Sequence, residues 1–143
     1  MRYIVAFSAF VFSLGICIAA TPDEELAAAI VHYESIVYSS VANSVSSEVE
    51  SANLTDEQAT EWIEAISNQL AVCDLDALTY LGSDVREESI YALANGSGKE
   101  AISQIVSKKL EANPNFKAVV LEYTDARRRC IVMVNQEFGI DYY

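Results

Sequence analysis

Residues 55–81 read TDEQATEWIEAISNQLAVCDLDALTYL, and this stretch decides the fold class. It opens on a capping box, in which the hydroxyl of Thr55 caps the backbone N–H of Gln58 and the Gln58 side chain returns the bond. Apolar residues then recur three and four positions apart, as they do on one face of an α-helix. They are Ala59, Trp62, Ile63, Ile66, Leu70, Cys73 and Leu81. The segment therefore predicts an amphipathic helix over 56–81.

Similar start and stop signals divide the rest of the chain. The further start signals pair a capping residue with proline or with glutamate three positions on. They are Thr21-Pro22-Asp23-Glu24, Asp84 with Glu87, Ser97 with Glu100, and Asn113-Pro114. The stop signals are Gly82, Asn95-Gly96 and Gly139, where a C-terminal glycine belongs. No run alternates apolar and polar residues long enough to predict a strand. The predicted helices are 22–50, 56–81, 85–94, 98–112 and 114–138.

Apolar stripes on the other helices predict that they share one core. The first helix carries Leu26, Ile30, Tyr33, Val37 and Val41 on one face. The fourth carries Ile102, Ile105, Val106 and Leu110. Residues 39–53, SSVANSVSSEVESAN, contain few strong helix formers, so we expect the last two turns of the first helix to fray or break. The predicted fold is all-α, a small bundle of about five helices.

The first twenty residues, MRYIVAFSAFVFSLGICIAA, have the pattern of a secretory signal peptide. Arg2 gives a positive start, no charge follows up to Ala20, and small residues precede the acidic TPDEE. An uncleaved membrane anchor is the alternative, because eighteen apolar residues almost span a bilayer. We predict a signal peptide at 1–20, a single helical domain at 21–143, and a secreted or periplasmic location.

Loss of the signal peptide would leave two cysteines, Cys73 and Cys130. Two cysteines in an exported protein predict one disulfide. Both fall on the apolar faces of their helices, so the bond would tie the second helix to the last one. The chain-entropy model gives such a long loop about 4 kcal/mol of stabilisation.

The chain is strongly acidic. Its formal net charge is −12, and without Arg2 eight basic residues face 21 acidic ones, which gives −13. This charge disfavours nucleic acid and anionic membrane surfaces, and it favours a basic protein partner. The alternative is that the charge serves solubility alone.

Residues suited to catalysis or metal binding are scarce. The only histidine, His32, lies opposite the apolar stripe of its helix, where it faces solvent. No cluster of histidine and cysteine suits zinc, and no segment matches a calcium loop. A catalytic pair of carboxylates is not recognisable from the sequence. Among 21 acidic residues some pair always has a suitable spacing, so the spacing carries little information. We therefore expect a non-enzymatic protein with no catalytic, cofactor-binding or metal-binding residues.

Two sequons begin at Asn53 and Asn95. In a eukaryotic secretory pathway both would be glycan acceptors. Helix capping by Thr55 and Ser97 and a helix stop at Asn95-Gly96 explain the same residues without glycans. A bacterial source and a eukaryotic source both fit the sequence.

Residues 125–130 read DARRRC and form an apparent basic cluster. Successive helical residues differ by about 100° in direction, which separates the three arginines. Arg128 and Arg129 fall on the polar side, within reach of Asp125.

Arg127 instead lies in the apolar stripe of the last helix. Its hypothesised partner is Asp74, which follows Cys73 and would come near through the disulfide. Two alternatives are that Arg127 extends along the edge of the stripe to water, or that it forms the floor of an anion pocket. The other members of the stripe are Phe116, Val119, Val120, Tyr123, Cys130, Val134 and Phe138.

These features predict an exported protein that acts by binding a protein partner, as an inhibitor or an immunity-type protein does. The alternative is a carrier of a small apolar ligand between the helices, with tyrosines along the cavity. A cavity of roughly several hundred cubic ångströms would favour the carrier, and a closed core with an exposed acidic or aromatic patch would favour the protein partner. An enzyme with a carboxylate site is the third possibility.

Overall fold

The computed structural model describes residues 21–142, which form a bundle of six α-helices without a strand in that range. The helices are α1 (Pro22–Ser44), α2 (Ser46–Ser51), α3 (Asp56–Leu78), α4 (Ser83–Ala94), α5 (Gly98–Ala112) and α6 (Phe116–Phe138). A 3₁₀ turn, Thr79–Leu81, follows α3. The predicted all-α bundle is confirmed. The predicted signal peptide, 1–20, lies outside the described residues.

The predicted first helix, 22–50, divides at Val45 into α1 and α2, which confirms the expected break. Val45 leaves helical geometry with φ −103° and ψ 12°, yet only 2% of its surface is exposed. The serine-rich sequence has too little helix propensity to hold a straight helix here. Burial of Val45 in the core fixes where the helix breaks.

The capping boxes at Thr21 and Thr55 both form as predicted. Thr55 Oγ1 accepts from Gln58 N at 3.2 Å, and Gln58 Oε1 accepts from Thr55 N at 3.0 Å. Each box satisfies N–H groups that the first turn of a helix leaves without partners. The stop at Gly139 is also correct, since this residue is left-handed and closes α6.

Of the other three start signals, Ser97 is followed by α5 over 98–112 as predicted but forms no cap, and the remaining two place the helix start wrongly. Helix α4 begins at Ser83 rather than at 85, because Gly82, at φ +85°, turns the chain immediately after the 3₁₀ turn. Ser97 precedes α5 but has αR geometry, so its side chain forms no capping bond. Helix α6 begins at Phe116 rather than at 114, because the Asn113 side chain accepts from Asn115 N and forms a turn instead of a cap.

Helix α3 is the centre of the bundle. It packs against α1 on one side and α6 on the other, and α4 packs between α1 and α5. The most deeply buried large side chains come from α1, α3 and α4. Burying each such side chain stabilises the fold by about 1.5–3 kcal/mol, so this cluster holds the bundle together. These side chains are Val41, Ile66, Leu70, Leu78 and Ile90.

The disulfide joins Cys73 of α3 to Cys130 of α6, as predicted, with their Cα atoms 5.4 Å apart. It spans 57 positions of the chain and lies where these two helices pack along each other. Cys73 is buried in the core, and the next residue, Asp74, faces α6 beside it. The disulfide thus fixes the register of α3 against α6.

None of the helices within 21–142 has the length and apolar character needed to cross a membrane.

Candidate functional site

A cleft of about 460 Å³ lies between α1, α5 and α6, and residues of α3 and α4 close its base. The base is apolar and nearly inaccessible to solvent. It is formed by Val37, Leu78, Leu93, Ile102 and Val106. Pockets that bind small molecules typically measure roughly 300–1,000 Å³ and are lined mainly by apolar side chains. The cleft therefore has the size and lining of a small-ligand site.

The cleft exists because α5 is attached to the bundle mainly through α4. Helix α5 contacts α6 only sparsely, while α1 and α6 each pack against α3. The turn between α4 and α5 uses two left-handed glycines, Gly96 at φ +71° and Gly98 at φ +57°. Other residues are strained in this conformation, so glycine permits the sharp reversal. Gly98 itself lines the cleft where α5 begins.

A polar cluster interrupts the apolar base. The Tyr33 hydroxyl donates a hydrogen bond to Asp74 Oδ2, and Arg127 Nε donates to Asp74 Oδ1. The Arg127 and Asp74 side chains are only 25% and 17% exposed, and Tyr33 is buried. The structure thus brings together the hypothesised pair of Arg127 and Asp74 and adds Tyr33 from α1. One carboxylate holds three helices, α1, α3 and α6, at the base of the cleft.

The surroundings of this cluster keep Tyr33 and Arg127 in fixed protonation states. Burial, together with the Asp74 charge and the hydrogen bond to it, raises the pKa of Tyr33 far above its ordinary value of 10.0. Burial also raises the pKa of Tyr123. Burial lowers the pKa of Arg127, but the Asp74 charge and hydrogen bond outweigh it and the net shift is upward. Near neutral pH the tyrosines therefore stay neutral and Arg127 stays charged.

Arg127 lines the cleft and retains donors that no described residue accepts. Its guanidinium carries five N–H groups, and only the Nε group donates to another residue among those described. The four N–H groups on the two terminal nitrogens have no hydrogen-bond acceptor within residues 21–142. Because Arg127 lines the cleft, these donors are available to a molecule inside it.

The C-terminal segment covers one end of the cleft. Asn135 anchors Tyr142 through two hydrogen bonds, from its Nδ2 to the Tyr142 carbonyl at 3.1 Å and from Tyr142 N to its Oδ1 at 3.3 Å. The Tyr142 hydroxyl lies 3.1 Å from Ser40 Oγ on α1. Tyr142 therefore bridges α6 and α1 and adds an aromatic wall to the cleft.

The remaining arginines of DARRRC lie as expected on the polar side of α6. Arg128 Nη2 is 2.9 Å from Asp125 Oδ1, and Arg129 Nη1 is 3.6 Å from Asp125 Oδ2. One carboxylate thus serves two guanidinium groups. Arg128 also lines the rim of the cleft, whereas Arg129 does not.

Sequence reasoning placed tyrosines along a ligand cavity in the carrier alternative, but it did not identify Tyr33 as a partner of Asp74 and did not single out Lys99 or Tyr142. A signal existed for Tyr33, because a tyrosine within an apolar stripe needs a partner for its buried hydroxyl. No comparable signal marked Lys99 or Tyr142, since their places depend on how α5 and the C-terminal segment fold back. His32 is exposed, as expected, and Asn53 and Asn95 are exposed at helix ends.

Two other depressions are weaker candidates. One of about 590 Å³ lies beside Trp62 at the junction of α2 and α3, and one of about 360 Å³ lies beside Met133 between α3 and α6. Both are more open to solvent than the cleft, and neither contains a buried charged group. Of these three depressions among residues 21–142, the cleft at Arg127 is the least open and has a partly buried ion pair in its lining.

Within residues 21–142, no group of three or more histidine, cysteine or acidic side chains is placed to hold a metal ion. Comparisons of the chain with protein-family models, with curated proteins and with solved structures found no match.

Proposed function

We propose that this protein binds a small, mainly apolar ligand in the cleft between α1, α5 and α6 and performs no chemistry on it. The observation that carries the proposal is the cleft itself, with about 460 Å³ above an apolar base and a rim of polar side chains. A cavity of this kind was the feature expected of a ligand carrier rather than of a protein inhibitor. Apolar burial would provide most of the affinity, and the polar groups would orient the ligand.

The polar cluster supports binding rather than acid–base catalysis. Both oxygens of Asp74 accept hydrogen bonds, one from Tyr33 and one from Arg127. A tyrosine with a raised pKa does not supply a base at neutral pH. Cys73 and Cys130 are bonded to each other, so neither is a free nucleophile.

The predicted export of the protein is compatible with this role. A disulfide is typical of proteins in oxidising compartments, and Cys73–Cys130 is placed to hold the cluster of Asp74 and Arg127 in register. We therefore propose a binding protein of the periplasm or the extracellular space. A basic protein partner, attracted by the acidic surface, stays a prediction that is based on charge alone.

Titration with an uncharged fluorophore, N-phenylnaphthylamine, tests the proposal. Its fluorescence increases in apolar surroundings, so we expect a saturable increase with one site per chain. The substitution Ser103→Trp places an indole on the cleft wall, and Ser107→Trp places the same group on exposed α5 surface outside the cleft.

We expect Ser103→Trp to weaken binding by about tenfold or more, because the indole would occupy space that the ligand fills. Displacing one large apolar group of the ligand from the cleft costs about 1.5–3 kcal/mol. We expect Ser107→Trp to leave binding unchanged. Absence of saturable binding would refute the proposal. Equal binding by the two tryptophan variants would refute the assignment to this cleft.

A further inference from the structure

The lining of the cleft contains more basic than acidic residues, although the protein as a whole is acidic. The described chain has eight basic and 21 acidic residues. Three of the basic residues, Lys99, Arg127 and Arg128, line the cleft, whereas Asp74 is the single acidic residue in its lining. The wall of the cleft therefore carries a positive formal charge, opposite in sign to the rest of the molecule.

We infer that the ligand of this cleft is an amphipathic anion, whose carboxylate or phosphate head group binds Arg127 at the base and Lys99 and Arg128 at the rim. The inference rests on the proposed function and names the class of ligand. The apolar residues of the base would hold the tail.

Arg127 provides the most specific part of this site. Its Nε is bound to Asp74, which fixes the plane of the guanidinium, and its terminal nitrogens have no protein acceptors within 21–142, while the residue itself lines the cleft. The planar guanidinium matches carboxylate and phosphate in bidentate geometry, and charge-assisted bonds of this type are about twice as strong as neutral ones. The ion pair with Asp74 thus orients Arg127 as well as compensating its charge.

The rim supplies the excess positive charge. Lys99 forms no ion pair with any residue in the described chain, and Arg128 shares Asp125 with Arg129. Positive charge at the mouth of a low-dielectric cleft attracts anions and raises their rate of association. A cationic ligand would compete with Tyr33 and Arg127 for Asp74, the one carboxylate in the lining.

Ligands that share one tail and differ only in the head group test the inference. Decanoic acid, decyl phosphate, decanol and decylamine are each used to displace N-phenylnaphthylamine at neutral pH. We expect the two anions to bind about tenfold or more tighter than the alcohol, since a hydrogen bond to a charged group contributes about 1.5–3 kcal/mol, and the amine to bind weakest. Preference for decanoic acid would identify a carboxylate site, and preference for decyl phosphate a phosphate site.

Two matched pairs of variants test whether the preference for anions comes from the charges at the rim of the cleft. Lys99→Gln and Arg128→Gln each remove one positive charge from the rim. Lys108→Gln on α5 and Arg129→Gln on α6 remove the same charge from exposed positions outside the cleft. We expect the first pair to reduce the affinity for the anions by about threefold or more and the second pair by less than about twofold, because exposed charges outside the cleft are screened by salt. Decanol affinity should not change in any of the four.

The outcomes separate the inference from the proposed function. If the alcohol binds as tightly as the two anions, the anionic head group is refuted and the apolar cleft stands. If all four variants weaken anion binding equally, the overall charge rather than the cleft selects anions, and the inference is again refuted. If neither the fluorophore nor any of the four ligands binds, both the inference and the proposed function fail.

Discussion

At the scale of single residues, position 127 carries an arginine within the apolar stripe of α6, four residues after Tyr123 and three before Cys130. Helical periodicity alone identifies this anomaly in the sequence. The adjacency of Asp74 to Cys73 points to the partner, because a disulfide brings the neighbours of its cysteines together. The third member, Tyr33, was not predicted, since nothing local to α1 shows which face of α3 it meets.

We expect removal of either partner of the ion pair to destabilise the fold. Asp74→Asn and Arg127→Met should each lower the free energy of unfolding by about 2–3 kcal/mol, because each leaves a partly buried charge without its counterion. This is below the value for a fully buried pair, since both side chains retain some exposure to solvent. Urea denaturation of the two variants gives the measurement.

The double variant Asp74→Asn/Arg127→Met completes the cycle. Its destabilisation should be smaller than the sum of the two single effects, because residues in direct contact couple by about 0.5–3 kcal/mol. Strict additivity would mean that the two side chains do not interact in solution.

Tyr33 makes the stability depend on pH at the alkaline end. Its pKa is raised in the folded protein, whereas the unfolded chain releases the same proton near 10.0. The stability that this group contributes is therefore complete below about pH 10 and decreases as the pH rises further, by at most about 1.4 kcal/mol per pH unit. We expect Tyr33→Phe to reduce this slope and Tyr80→Phe, at an exposed position, to leave it unchanged.

Tyrosinate absorbance of the native protein gives an independent measurement of the same property. Since the Tyr33 hydroxyl is buried against Asp74, Tyr33→Phe should not change the absorbance increase up to about pH 11. A smaller increase in that variant would show that Tyr33 ionises in the folded state and that the hydrogen bond to Asp74 is absent.

At the scale of helices, the predicted capping bonds formed only where the residue before the helix has extended backbone geometry. Thr21 and Thr55 adopt the extended geometry that a cap requires. Ser97 lies three residues after the end of α4, and its N–H closes that helix end by donating to the Ala92 carbonyl at 3.2 Å. The chain cannot close one helix in this way and also extend at the same residue to cap the next.

Thr55 and Ser97 therefore differ in how much they stabilise the fold, although the sequences around them are similar. Thr55→Ala should lower the free energy of unfolding by about 1 kcal/mol, because it removes a formed capping bond. Ser97→Ala should change it by less than about 0.5 kcal/mol, as an exposed substitution without a capping bond does. Equal losses in urea denaturation would contradict the assigned geometry at one of the two helix starts.

The extent of the helices and the position of the core were predictable because both depend on local sequence. Predicted stripe residues such as Tyr33, Ile66 and Val106 are all buried. The break at Val45 was foreseen as weakness in a serine-rich segment, but its position depends on tertiary burial of Val45. Low helix propensity indicated the segment in which α1 was expected to break, and burial of Val45 in the core determined the residue at which α1 ends.

At the scale of the whole molecule, the cleft results from how α5 is attached and could not be read from the sequence. Each helix stripe predicts burial against some neighbour, but the sequence does not state that α5 packs on α4 and leaves space before α6. The concentration of Lys99 and Arg128 at its rim is also a property of the folded chain, since 29 positions separate them. The basic residues and the cleft come together only when the chain is folded.

The most direct test of the binding cleft is a nuclear magnetic resonance titration of the protein with decanoic acid, followed through its backbone amides. We expect saturable shifts at residues that line the cleft, such as Ile102, Val120 and Thr124, with amides near Trp62 and Met133 unaffected. Shifts confined to the depressions beside Trp62 or Met133, or no saturable shifts at all, would contradict the account.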